Sequence, residues 1–242
     1  MCGIVGYLGD RPAYPMLIQG LRRLEYRGYD SAGVALVHEN GTLDVFKSKG
    51  KVPDLERAIQ GQDVSGPIGI AHTRWATHGE PNDANAHPHY SQSKTLAIIH
   101  NGIIENYNVL REMLRNHDYT FQSDTDTEVL VQLIEYIKQT NHCDLCTAVQ
   151  LALHEVVGAY AIAVIEKENP DLIVAARKSS PLVIGIRGNE RFLASDATPI
   201  IEHTKEVVYL NDEEVAVIRR NEPLQVVSLD NVVKPLHIKM LE

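Results

Sequence analysis

The amino-acid sequence predicts an α+β fold, and three observations carry that prediction. The first half mixes short apolar runs with amphipathic segments of helical period. From Ala159 onward the chain is mainly short β-branched runs separated by turn residues. No internal repeat or linker-like stretch divides the 242 residues, so one α+β domain over 1–242 is the simplest account.

In chain order, residues 3–8 form an apolar run that predicts a strand. A helix follows, with Pro15 in its first turn and Tyr14, Leu17, Ile18, Leu21 and Leu24 on one face. Residues 26–33, Tyr-Arg-Gly-Tyr-Asp-Ser-Ala-Gly, are too polar and glycine-rich for a regular element. Two strands, 34–38 and 42–47, flank Asn40-Gly41, a strong hairpin signal. A short helix after Pro53 ends near Gly61, and residues 68–72 predict another strand. That strand runs into the densest polar cluster of the chain, His72-Thr73-Arg74-Trp75-Ala76-Thr77-His78-Gly79-Glu80-Pro81 and Asn85-Ala86-His87-Pro88-His89, which reads as a loop. A strand at 96–100 is expected to end at Asn101-Gly102. Helices are expected at about 106–116 and 126–139, the second opening on a capping box, Thr125-x-x-Glu128. A third starts at Asp144 as N-cap, with Leu145, Val149, Leu153 and Val157 at helical intervals. Strands follow at 159–165, 172–176, 182–186, 192–194, 207–210, 215–218, 224–227 and 232–238.

Composition excludes several functions. With 44% apolar residues the chain can bury a sizeable core. A net charge of −9 and no basic stripe argue against nucleic acid. There is no 18-residue apolar run and no signal peptide, so the expectation is a cytoplasmic protein without a membrane partner. Cys143 and Cys146 form a C-x-x-C, but no second ligand pair stands at zinc spacing, and the helix start explains the segment better. Histidines 72, 78, 87, 89 and 100 include no H-x-x-x-H with an accompanying carboxylate, so neither a metal nor a cofactor is expected.

The segment that organises the rest is Met1-Cys2. If Met1 is removed, Cys2 carries both a thiol and a free α-amine, whose ordinary pKa of ~7.7–8.0 suits proton transfer near neutral pH. One residue then supplies nucleophile and base, as amine-activated N-terminal threonines do. The competing reading is a small buried hydrophobe at the start of a strand. Asn101-Gly102 offers an amide NH₂ and a glycine N–H for an oxyanion hole, or else a plain β-turn. Arg74 presents a fork that fits a carboxylate, or else a surface ion pair. Asp126, in the first turn of a helix, could hold an ammonium or simply cap the helix. Together Arg74 and Asp126 match the two ends of a free α-amino acid.

Met1-Cys2-Gly3-Ile4-Val5-Gly6, residues 21–33, His72-Thr73-Arg74-Trp75-Ala76-Thr77-His78-Gly79, His100-Asn101-Gly102-Ile103-Ile104-Glu105-Asn106 and Ser123-Asp124-Thr125-Asp126-Thr127-Glu128 resemble the glutaminase domain of the glucosamine-6-phosphate synthase family. These are the glutamine–fructose-6-phosphate aminotransferases (isomerizing), class II glutamine amidotransferases of the N-terminal-nucleophile hydrolase superfamily. The resemblance runs from the first residue to about Val217. Residues 29–33 and 73–79 point to the hexosamine branch. It implies a four-layer αββα sandwich, removal of Met1, and attack of Cys2 on the side-chain amide of L-glutamine to give a γ-glutamyl thioester, ammonia and then glutamate. It further implies that Asn101 and Gly102 stabilise the oxyanion, that Arg74 takes the α-carboxylate and that Asp126 takes the α-ammonium. Thr77 and His78 would add substrate contacts, Trp75 would gate the site, and Arg27 and Gly28 would position Cys2. In the family, sugar-phosphate isomerase domains that bind fructose 6-phosphate follow, absent from this chain, and the full-length enzyme is expected to be a homodimer.

Three rival schemes stand beside this one. They are the glutaminase half of another class II amidotransferase, a non-catalytic amino-acid-binding domain built on Arg74 and Asp126, and a cysteine hydrolase using a loop histidine as base.

Overall fold

Two antiparallel sheets lie face to face, with helices over each outer surface, in the order α, β, β, α. The computed structural model describes residues 2–242; the expected loss of Met1 lies outside them. The first part of the chain forms β1 (Gly3–Leu8), α1 (Ala13–Arg23), β2 (Ser31–Val37), β3 (Leu43–Lys49), α2 (Val52–Ile59) and β4 (Ile68–Arg74). Then come β5 (His89–Tyr90), β6 (Leu96–Ile104), α3 (Tyr107–Arg115), α4 (Asp126–Asn141) and α5 (Leu145–Glu155). The rest is β: β7 (Gly158–Glu166), β8 (Asn169–Lys178), β9 (Val183–Arg187), β10 (Glu190–Ala194), β11 (Glu206–Tyr209), β12 (Glu214–Arg219), β13 (Gln225–Ser228), β14 (Val233–Lys234) and β15 (Ile238–Met240). One sheet has the order β15-β11-β9-β10-β1-β4-β2-β3, the other β14-β13-β12-β8-β7-β6-β5.

Side-chain parity sorts the core into three slabs. Along β1, Ile4 and Leu8 face the second sheet, whereas Val5 and Tyr7 face α1. The slab between the sheets joins Ile4, Ile68 and Ile70 to Ala97, Ile99, Ala161 and Ala163, all fully buried. Alanines on the facing strands give the bulky isoleucines room. Each such isoleucine contributes about 1.5–3 kcal/mol by leaving water. α1 and α2 close one outer face through Leu17, Leu21 and Leu55, and α3 to α5 close the other through Leu114, Leu130 and Val149. The αββα sandwich is therefore present as expected.

Local sequence accounts for the element ends. Asp144 accepts from Thr147 N at 2.8 Å and starts α5, so the C-x-x-C is a helix start whose two thiols are free. Thr125 Oγ1 accepts from Glu128 N at 3.2 Å, but only half of the capping box forms. Glu128 instead takes the backbone N–H groups of Gln122 and Ser123, fixing the chain ahead of α4.

Four expectations need correction. The segment 26–33 is not all loop: Glu25–Arg27 makes a 3₁₀ turn and β2 already begins at Ser31, where pairing with β4 and β3 satisfies its backbone. Asn101-Gly102 is not a turn, because β6 continues to Ile104 with Gly102 opposite Tyr160. The expected strand 232–238 is two strands, since Pro235 interrupts it: β14 pairs with β13 in one sheet and β15 with β11 in the other. Val157 lies beyond the end of α5 and is exposed. Among the described residues no helix is long and apolar enough to cross a membrane.

Candidate active site

The predicted residues arrive from separate elements at one end of the two sheets. Cys2 immediately precedes β1 and shares parity with Ile4, so it belongs on the inter-sheet side. Arg74 ends β4 on the same face as Ile68 and Ile70, and Asn101 follows Ala97 and Ile99 on the inner face of β6. Asp126 is the first residue of α4. A cavity of about 440 Å³ opens there, walled by Cys2, Arg27, Arg74, Trp75, Thr77, Asn101, Gly102 and Asp126. Two predicted residues are set back from the wall. The His78 ring packs edge-on against Tyr107 at 4.9 Å. Gly28, at φ +73°, is near the Trp75 side chain, where a Cβ would stand 4.0 Å from Trp75 Cζ3.

The Cys2 sulfur rests on the backbone of Trp75. Trp75 N–H donates to Sγ at 3.3 Å, and the Sγ–H donates to Trp75 O at 3.6 Å. Among the described residues no histidine hydrogen-bonds it, so the Cys–His scheme lacks its pair. Burial pushes the thiol above its usual 9.0, against the pull of the Trp75 N–H and Arg74. A thiol in this state is protonated at neutral pH and needs a base before it can attack. The Cys2 carbonyl accepts from Asn101 Nδ2 at 3.3 Å and from Arg27 Nη1 at 3.4 Å, and Arg27 is itself paired with Asp196.

Asn101 is held on its other side by His72, whose Nε2 lies 2.9 Å from Asn101 Oδ1. Gly102 has φ +117°, and a Cβ there would stand 2.3 Å from the Ala159 carbonyl oxygen. Only glycine allows this kink inside a paired strand.

Arg74 is buried, and part of its fork is already engaged. It donates to the carbonyls of His78, Gly79 (3.3 Å) and Glu80 (3.5 Å), drawing the 75–80 loop over the site. Burial pulls its pKa down, opposed by Asp30 and Asp126. Asp126 Oδ2 accepts from Ile104 N at 2.9 Å, which ties the start of α4 to the end of β6. The wall thus carries a cation and an anion, fitting an α-amino acid. Among the described residues no three of His, Cys, Asp and Glu come together as metal ligands.

Sequence reasoning missed several residues. Asp30 accepts from Ala76 N at 2.8 Å and anchors the loop beside Cys2. Asn85 is buried and bridges Glu80 O to the Asp124 backbone, linking that loop to the approach to α4. Ser195 Oγ accepts from Ile4 N at 3.1 Å and also reaches the cavity wall. Asp30 and Asn85 sit in glycine-, proline- or asparagine-rich stretches with no periodicity, and Ser195 lies nearly 200 residues away in sequence. Asp30 and Asn85 fall within segments already singled out, but nothing local gives either side chain its partner, and nothing local marks Ser195. His87 and His100, considered as metal ligands and, for His87, as a loop base for a cysteine hydrolase, are buried and line the cavity.

With this geometry in place, the chain can be set beside known proteins. A family model described as "Glutamine amidotransferase domain" matches residues 47–226. The glutamine–fructose-6-phosphate aminotransferase (isomerizing) of Bacteroides thetaiotaomicron is 66% identical over 242 residues, covering 100% of this chain and 39% of that protein. Its counterpart from Chlorobaculum tepidum is 52% identical over 249 residues, covering 100% of this chain and 40% of that protein. A solved structure titled glutamine phosphoribosylpyrophosphate amidotransferase from B. subtilis, complexed with ADP and GMP, matches with a TM-score of 0.77 at 28% identity, over 94% of this chain and 49% of that one. The chain spans about two fifths of the length of the curated relatives it matches.

Proposed function

Because the chain belongs to the glutamine amidotransferase domain family, in the class II group with the N-terminal-nucleophile fold, we propose that it hydrolyses L-glutamine through Cys2. In the longer polypeptide, the ammonia would serve glucosamine 6-phosphate synthesis from fructose 6-phosphate. Residues 1–242 form the glutaminase domain, and the sugar isomerase domains lie in that longer polypeptide, whose expected state is a cytoplasmic homodimer.

One observation carries this reading: Cys2, Arg74, Asn101 and Asp126, from four separate elements, share one cavity. Removal of Met1 frees the α-amine next to a thiol that burial keeps protonated. The amine takes the thiol proton as Sγ attacks the glutamine side-chain carbonyl carbon. The C–S bond forms, and the carbonyl electron pair moves onto oxygen, where Asn101 Nδ2 and the Gly102 N–H receive it. The proton passes to the leaving nitrogen, the C–N bond breaks and ammonia departs. Water then attacks the thioester, giving glutamate and the free thiol. Arg74 holds the α-carboxylate and Asp126 the α-ammonium. Thr77 and His78 complete the substrate contacts, Trp75 covers the pocket, and Arg27 and Gly28 set the Cys2 end. No cofactor enters the scheme.

Intact-mass spectrometry after incubation with 6-diazo-5-oxo-L-norleucine tests this. The expected result is a mass without Met1, plus one covalent adduct that maps to Cys2. An unlabelled protein, or an active one that still begins with methionine, overturns the proposal.

A further inference from the structure

His72 has no part in the scheme above, yet it is fully buried on the inner face of β4, opposite Ile4 on β1 and Gly33 on β2. Its Nε2 lies 3.0 Å from the His100 carbonyl oxygen and 2.9 Å from Asn101 Oδ1. A backbone carbonyl only accepts, so Nε2 carries the hydrogen. The Asn101 atom facing that N–H must then be an acceptor, its Oδ1, and this leaves Nδ2 turned toward Cys2, 3.3 Å from the Cys2 carbonyl oxygen. Reversing the carboxamide would set NH₂ against N–H on one side and oxygen against oxygen on the other.

Three features keep this arrangement from switching. Among the described residues, His72 Nδ1 is buried without a hydrogen-bond partner, which is tolerable for a lone pair and costly for an N–H. The ring is also stacked on His87, with centroids 4.2 Å apart and planes at 16°, and burial lowers its pKa to about 3. The imidazole is therefore neutral, with one tautomer, throughout the neutral range.

We propose that His72 is a positioning residue for glutamine hydrolysis: its Nε2–H locks the Asn101 side chain in the orientation that presents NH₂ to the carbonyl attacked by Cys2. This rests on the reading of Asn101 as an oxyanion donor.

The test is a double-mutant cycle on the purified protein, with kcat and KM for glutamine and the melting temperature of every variant. Losing one oxyanion donor lowers turnover by ~10²–10³. His72→Phe is expected to lower kcat by ~10-fold up to that limit, with KM changed less than about twofold. Glutamine places its side-chain nitrogen where Nε2 stands and asparagine does not. His72→Gln should therefore keep kcat within about fivefold of wild type while His72→Asn falls with the Phe variant. In an Asn101→Ala background, His72→Phe should change kcat less than about twofold, because its only route to the reaction is gone.

Equal losses in the two backgrounds, a change confined to KM, or a well-folded His72→Gln as poor as His72→Asn would overturn the proposal. Should His72→Phe not fold, the Gln and Asn pair decides. If wild type hydrolyses glutamine and Asn101→Ala retains full kcat, the oxyanion reading fails, and His72 with it. If Asn101→Ala loses kcat but His72→Phe still lowers it further, only the His72 proposal fails.

Discussion

Cys2 is the residue on which the chemistry turns, and its environment makes two predictions. Cys2→Ala should abolish glutamine hydrolysis while leaving the melting temperature near wild type, since a partly exposed thiol adds little to the core; near-normal activity would refute the nucleophile assignment. Because burial raises the thiol above 9.0, an uncleaved residue ahead of Cys2 leaves it without a base. Iodoacetamide labelling of that variant should then climb only as pH passes 9, and substantial labelling at pH 7 would show a thiolate already present. Arg74→Ala should act mainly on KM. A charge-assisted bond to a carboxylate contributes about 1.5–3 kcal/mol, or roughly 10- to 100-fold, and it exists in ground and transition states alike. A fall in kcat at constant KM would contradict that. Arg74 also shows where residue-level reading stopped: its type and place in a polar cluster suggested a carboxylate partner, but its grip on three backbone carbonyls of the 78–80 loop depends on how that loop folds back.

At the scale of elements, the site depends on backbones that approach too closely for side chains. A Cβ on Gly33 of β2 would stand 2.0 Å from the His87 carbonyl oxygen, so the 82–89 loop sits directly on the sheet. Lys47 on neighbouring β3 holds the same loop by donating to Ala84 O at 3.1 Å and Ala86 O at 2.9 Å. Gly102→Ala tests the kink in β6. Its positive φ alone costs an alanine ~1–3 kcal/mol, and the Ala159 carbonyl blocks the added carbon. The expected outcome is a lower melting temperature together with lost turnover, measured by thermal melts and glutamine hydrolysis. A stable and active Gly102→Ala protein would show that the kink is dispensable. The helices and most strands were legible because their periods and caps are local, Asp144 being the clear case. The end of β6 was not: Asn-Gly is a turn signal in isolation, and pairing with β7 overrode it. The division of residues 232–238 escaped because two short segments on either side of Pro235 join different sheets.

For the whole molecule, a group of neutral histidines in and around the cavity wall predicts how stability depends on pH. His72, His87, His89 and His100 are all buried, and burial lowers each below 6.5, His72 to about 3. Above pH 6.5 both folded and unfolded chains leave them neutral. Below it the unfolded chain takes up protons that the folded chain refuses. Stability then falls by up to about 1.4 kcal/mol per pH unit for each histidine, and for His72 the fall continues to about pH 3. Thermal melts from pH 7.5 to 5 should show the decline starting just below 6.5, before carboxylates titrate; a flat profile to pH 5.5 would contradict the burial argument. By itself the sequence determined the α+β class, the positions of most elements and the residue types of an amino-acid site, because periodicity, capping and side-chain chemistry are properties of short stretches. Only the tertiary structure decided that Cys2, Arg74, Asn101 and Asp126 meet, which way the Asn101 amide faces, and which histidines lie between the sheets. Those facts depend on strand order and register between segments more than a hundred residues apart, as Cys2 and Asp126 are, which no local pattern encodes.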